Sequence, residues 1–122
     1  MSDATRKLVV LASHHANGDR STVALTIANA ALSAGMEVLV FLVSDGVELC
    51  REGAADLSHS TPFRPLGELV EGFVEAGGIL VACGSCFQFR GMKSDQTVPG
   101  AQVAGVATLV AWLQAGAATI SL

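Results

Sequence analysis

Two thiols three residues apart, Cys83 and Cys86, follow directly on the apolar run Gly78-Ile79-Leu80-Val81-Ala82. A short run of this type, without polar alternation, reads as a buried strand. The cysteine pair therefore falls in a Gly/Ser turn at a strand's carboxyl end, near helix N-termini that favour a thiolate. The N–H groups of Gly84, Ser85 and Cys86 are the local donors, and Arg90, seven positions beyond Cys83, is placed to add positive charge. The residue types point to sulfur chemistry. A CxxC spacing serves zinc, disulfide exchange and sulfur transfer alike, so its surroundings must decide between them.

A structural zinc site needs four ligands and usually a second pair at similar spacing, and no second CxxC or matching His pair exists here. His14 and His15 are adjacent, so on a strand end their side chains point opposite ways. His14 with Cys83 and Cys86 gives at most an open three-ligand site, a weak metal reading. A thioredoxin-type exchange site places its CxxC after the first strand and ahead of a long helix. Here Phe87-Gln88-Phe89-Arg90-Gly91 leaves room for only about two turns. A Cys83–Cys86 disulfide stays chemically open, and no cofactor is called for. The alternative to sulfur carriage is a metal- or small-ligand-binding module that uses Cys83, Cys86 and a histidine without turnover.

The neighbouring candidates carry simpler readings beside the functional ones. Arg90 equally suits a C-terminal helix cap. His14 or His15 can serve as a base or orient a substrate, but a strand-end histidine bonded to backbone is the commoner case. Asn17-Gly18-Asp19 is turn and cap chemistry. Cys50 reads as packing, and His59 lies in a polar loop with no visible partner.

The elements that must position these residues alternate between strand and helix. Lys7 to Ala12 and Glu37 to Val43 are apolar, strand-like runs. Between them Asp19 is placed to cap a helix running to Ala34, with Val23, Ile27 and Ala31 at fourfold spacing and Gly35 at its end. Ser44 or Asp45 can cap a short helix over Val47 to Arg51. Gly53 to Thr61 reads as a polar loop. Pro62 and Pro65 then precede an amphipathic helix with Leu66, Leu69, Val70, Phe73 and Val74 on one face.

Gly77-Gly78 ends that helix, and Ile79 to Ala82 is the third strand. A loop or short helix carries Cys86 to Lys93, and Asp95 to Gly100 turns. A short strand surrounds Gln102-Val103. The final helix presents Val106, Leu109, Val110 and Leu113, and Ala117 to Leu122 closes the sheet. This pattern predicts a single α/β domain over residues 1–122 with three layers: a mostly parallel sheet of about five strands with helices on both faces. Such sheets bind ligands at the carboxyl ends of their strands. His14, His15 and Asn17, Ser44 and Asp45, and Cys83 to Cys86 all fall there.

Composition bounds the partners. Hydrophobic residues make up 51% of the chain and charged residues 15%, against roughly 25% charged in soluble domains. That imbalance predicts a sizeable subunit interface, with self-association the default. The net charge of −4 and seven scattered basic residues disfavour nucleic acid. Residues 96–122 hold no charge, but Pro99, Gly100, Gly105 and Gly116 break the stretch, which reads as a buried helix and a final buried strand rather than a membrane span. Met1 to Lys7 lacks a signal-peptide pattern. Three cysteines without a secretion signal predict a reducing compartment, the cytoplasm.

The order and spacing of these pieces resemble the DsrE/DsrF/DsrH-like family of small sulfur-handling proteins, in its YchN-like and TusD-like branches. The resemblance runs nearly the full length. It rests on the loop after the first strand with its Ala-rich helix ending Ala34-Gly35-Met36-Glu37-Val38, and on Asp45-Gly46-Val47 with Gly53. It also rests on Cys83-x-x-Cys86 with Arg90-Gly91, and on Pro99-Gly100 before the last helix. It implies homotrimers or homohexamers, and sulfur relay between donor and acceptor proteins through a persulfide. Its position before Arg90-Gly91 matches Cys83 to the carrier cysteine. Cys86 matches a second, resolving thiol found in some branches, which can attack a persulfide and release sulfide.

Overall fold

The computed structural model describes residues 5–56 and 58–122. The first part of Met1 to Lys7 and the Leu57 position of the Gly53 to Thr61 loop lie outside the described residues. Five strands, β1 (Lys7–Ala12), β2 (Glu37–Leu42), β3 (Ile79–Cys83), β4 (Gln102–Ala104) and β5 (Ala118–Ser121), make one sheet in the order β4-β3-β2-β1-β5. All four neighbouring pairs are parallel, so the sheet is wholly rather than mostly parallel. Each crossover carries a helix, as parallel connections require: α1 (Arg20–Ser33), α2 (Leu66–Glu75), α3 (Gly84–Phe89) and α4 (Val106–Gln114).

The chain steps from β1 through β4 in one direction, then returns across the whole sheet to β5. With right-handed crossovers, that reversal sets α4 on the face opposite α1 and α2. The central strands are covered on both faces, and Val9, Val10, Leu39, Val40, Phe41 and Leu42 are fully buried. Helix α2 buries Leu66, Leu69, Val70 and Phe73, the face its apolar spacing predicts. Its exit is tight. A Cβ on Gly78 would enter the Phe73 ring, while the Gly78 N–H bonds the Phe73 carbonyl at 2.9 Å.

Three expectations need correction. Helix α1 fully buries Ser21, Thr22, Ala24, Leu25 and Ala28, whereas of the row Val23, Ile27 and Ala31 the last two pack against the core only partly buried. Small side chains let this face lie close, and Asn29 Nδ2 joins α1 to α2 through the Leu69 carbonyl at 3.0 Å. Asp19 holds the N-cap position without a side-chain capping bond. The second correction concerns residues 44–50. They form a 3₁₀ segment starting at Ser44, so neither Ser44 nor Asp45 caps it. Its far end is tied down by an antiparallel bridge between Arg51 and Thr97, with the Glu52 N–H on the Gln96 carbonyl at 2.7 Å.

The third correction is the largest. Helix α4 contains no buried residue, and β5 is half-buried or exposed along its length. Val106 is 60% exposed and Val110 46%. The reason is topological: β5 is an edge strand, and among the described residues nothing covers the outer side of α4. Its inner side is anchored by Trp112, whose ring lies 4.9 Å from Lys7 Nζ, itself paired to Glu37 Oε1 at 3.0 Å.

One glycine fixes the junction between β1 and β2. A Cβ on Gly46 would be driven into the Ala12 carbonyl, the group that accepts the Val43 N–H at 3.0 Å. Gly72, inside α2, has no such neighbour. Gly46→Ala is therefore expected to destabilise by about 3 kcal/mol or more, through overpacking and a displaced hydrogen bond. Gly72→Ala should instead stabilise by roughly 0.5–1 kcal/mol. Urea denaturation of the two variants checks both signs.

Candidate functional site

Cys83 is the last residue of β3 and the first to leave the sheet, opposite Ala104 of β4. Helix α3 starts at the next residue. Its sulfur thus lies at the carboxyl edge, where the backbone turns from strand to helix and its first N–H groups have no intrahelical partner. Gly84 sits beside β4, where a Cβ would make only ordinary contact with the Ala104 carbonyl. Cys83 is 6% exposed, and Cys86, one turn on, is half-buried above it.

Burial alone would raise the Cys83 thiol pKa. The Cys86 N–H, the Cys86 thiol and the Ser85 N–H act against it, and the balance lies below the ordinary thiol value. Arg90 is not among the groups that lower it. Its Nη2 donates to Asp45 Oδ1 at 2.8 Å and its Nη1 to the Cys86 carbonyl at 3.2 Å. The expected direct charge on Cys83 is thus replaced by a salt bridge and a C-terminal cap on α3. The Arg90 hydrogen bond is also the main influence holding the Asp45 carboxyl below the ordinary aspartate value. Slight burial opposes it, and the charges of Arg90, His15 and His14 assist.

The two histidines do reach this edge, but as exposed loop residues with local partners. Ser13 Oγ lies 3.3 Å from His14 Nδ1, and the Asn17 N–H donates to His15 Nδ1 at 3.1 Å. The Ser21 hydroxyl lies 2.7 and 2.8 Å from the His14 and His15 carbonyls, fixing the loop's path. Among the described residues, no three His, Cys, Asp or Glu side chains come close enough to hold a metal ion. Cys83, Cys86 and His14 are therefore not brought together as ligands. His59, expected to lack a partner, has Nε2 2.8 Å from the Phe63 carbonyl.

Asp45 was legible as a residue of this edge, but its partner was not. Pairing with Arg90 spans 45 positions and depends on β2 and β3 being neighbours. A cavity of about 570 Å³ between Leu49, Val70, Val74 and Val98 contains none of the thiols or histidines. No helix among the described residues is long and apolar enough to cross a membrane.

Cys50 behaves differently from Cys83. It is fully buried, its thiol donates to the Val47 carbonyl at 3.1 Å, and burial pushes its pKa up to about 11. Because the folded value is raised, the neutral thiol's contribution is intact below the unfolded value near 9 and is lost as pH rises through 11. Between those limits the protein should lose roughly 2 kcal/mol that a Cys50→Val variant keeps, in denaturant melts at each pH. Alkylation at neutral pH should modify Cys83 well ahead of Cys50, read by peptide mass.

Comparison with known proteins places this geometry in context. The sequence pattern of the DsrE/DsrF-like family matches residues 6–122. An uncharacterized protein of Methanopyrus kandleri is 33% identical over 96 residues, covering 79% of this chain and 76% of its own length. An uncharacterized protein of Methanocaldococcus jannaschii is 29% identical over 79% of this chain and 81% of its own. Among solved structures, the YchN protein of E. coli superimposes with a TM-score of 0.81 at 15% identity, covering 98% of this chain and 100% of its own. A protein of unknown function from Methanobacterium thermoautotrophicum gives 0.76 at 18% identity with the same coverage.

Proposed function

Because the chain belongs to the DsrE/DsrF-like family, we propose that it carries sulfane sulfur on Cys83, as a relay protein of the reducing cytoplasm. The observation that supports this reading most is the placement of the Cys83 sulfur: nearly covered, at the sheet's carboxyl edge where β3 turns into α3, beside Ser85 and Cys86, which pull its pKa below the ordinary thiol value. A lowered pKa makes more of the thiol available as the nucleophilic thiolate, and the cover shields the sulfur once loaded.

In the loading step the Cys83 thiolate attacks the outer sulfur of a donor persulfide, R–S–SH. The new Cys83 S–S bond forms as the donor's S–S bond breaks, and the donor leaves as a thiolate with the electron pair. No net oxidation occurs. An acceptor thiolate can then take the outer sulfur by the same exchange. Cys86 offers a second outlet: its thiolate attacks the Cys83 sulfur, a Cys83–Cys86 disulfide forms, and hydrosulfide leaves. There the two thiols are oxidised and the sulfane sulfur is reduced, so a dithiol reductant must reset the pair.

Incubation with inorganic polysulfide and intact-mass measurement test this. Wild type should gain sulfur atoms that a reductant removes, Cys83→Ser should gain none, and Cys86→Ser should keep its sulfur longer. No reducible adduct on wild type, or undiminished loading on Cys83→Ser, overturns the carrier reading.

The same reading includes self-association, as a homotrimer or homohexamer. Val103, Val106, Val110 and Leu113 on β4 and α4 are exposed, and charged residues are scarce. Burying such a face removes apolar surface from water at about 25 cal/mol per Å². Native mass spectrometry should find a multiple of the 12.5 kDa chain. The Val106→Asp/Val110→Asp double variant should shift it toward monomer. A wild type that is monomeric at micromolar concentration would end this part of the proposal.

A further inference from the structure

We propose that Asp45 is a positioning residue for the Cys83 thiol, acting through Arg90 on helix α3. This rests on the reading of Cys83 as the working thiol. The guanidinium is a rigid planar fork, so its two hydrogen bonds are geometrically linked. One goes to Asp45 Oδ1 at 2.8 Å and the other to the Cys86 carbonyl at 3.2 Å. Cys86 is therefore held from both sides. Its backbone lies in the first turn of α3, directly after Cys83, while its carbonyl is drawn to Arg90.

Helix α3 has only six residues, too short to keep its own geometry without outside contacts. The anchor at the other end is firm. Ser44 takes φ +52°, in the left-handed region that non-glycine residues adopt at a cost, and Gly46 is locked against the Ala12 carbonyl. Asp45 stands between these two fixed points. The strained turn places a carboxylate from β2's end where it can hold the helix that follows β3. The Arg90 side chain is 21% exposed and Asp45 60%, so the pair closes the outer side of the turn.

A simpler role for Asp45, a charge felt through space, predicts the opposite sign. The charged and titratable groups at this edge are Asp45 and Arg90, the Cys86 thiol, and His14 and His15 after the end of β1. Removing an anion from such a group favours a thiolate and speeds its reactions. Loosening α3 misplaces the Ser85 and Cys86 N–H groups and slows them.

The test is the pH profile of iodoacetamide alkylation, read at Cys83 by peptide mass with Cys86 left in place. Asp45→Asn and Arg90→Gln should each move the midpoint upward and cut the neutral-pH rate by about twofold to fivefold. Asp45→Glu should restore most of the loss, and the double variant should be no slower than either single one. Thermal stability can shift in these variants without the midpoint moving, so the midpoint reports positioning. Faster alkylation or an unmoved midpoint in Asp45→Asn overturns the proposal. Polysulfide loading of wild type, run in parallel, separates the two claims. Loading with an unmoved midpoint defeats the Asp45 role alone, whereas a moved midpoint without loading defeats the carrier reading and leaves the Asp45 role standing.

Discussion

In a sheet whose strands all run the same way, every strand releases its chain at the same edge. That constraint governs the whole molecule. It forces a helix or long crossover between each pair of strands, buries the middle strands on both faces, and gathers residues far apart in sequence along one rim. His14 and Asp45 follow β1 and β2, and Cys83 ends β3, three strands that are side by side in the sheet. Their convergence needs no special contact of its own, because the hydrogen-bond registers of β1 with β2 and of β2 with β3 set it.

Much of this architecture was readable because its strands are continuous apolar runs bounded by turn residues, and a fully buried parallel strand has little else it can be. The amphipathic face of α2 was readable for the same reason: Leu66, Leu69, Val70 and Phe73 are large and regularly spaced. Helix α1 was not, since Ser21, Thr22, Ala24 and Ala28 carry little hydrophobic contrast with the residues around them. Their burial follows from size, which lets backbones approach, rather than from apolar periodicity. The apolar character of α4 was read correctly, but hydrophobicity says only that a face prefers cover. It does not say whether the same chain supplies it.

The site divided along similar lines. That Cys83 and Cys86 would share a turn at a strand's end followed from local sequence alone. The partner of Arg90 did not, because a long charged side chain can reach several neighbours and only the strand order places Asp45 among them. The Arg51–Thr97 bridge is hidden in the same way, joining two loops that look unrelated in sequence. Cys50, three residues past Val47 in a helical stretch, reads as packing, and its full burial bears that out.

The stack of Lys7 on Trp112 has an optical consequence. The chain has one tryptophan and no tyrosine, so its near-ultraviolet emission comes from a single indole. Lys7 opens β1, which puts that indole at the amino rim of the sheet, across the molecule from Cys83. An ammonium over the ring and an uncovered helix face beside it make the fluorophore sensitive to whatever packs on α4. Its colour and quantum yield should therefore follow assembly, while sulfur chemistry at the opposite rim leaves them unchanged.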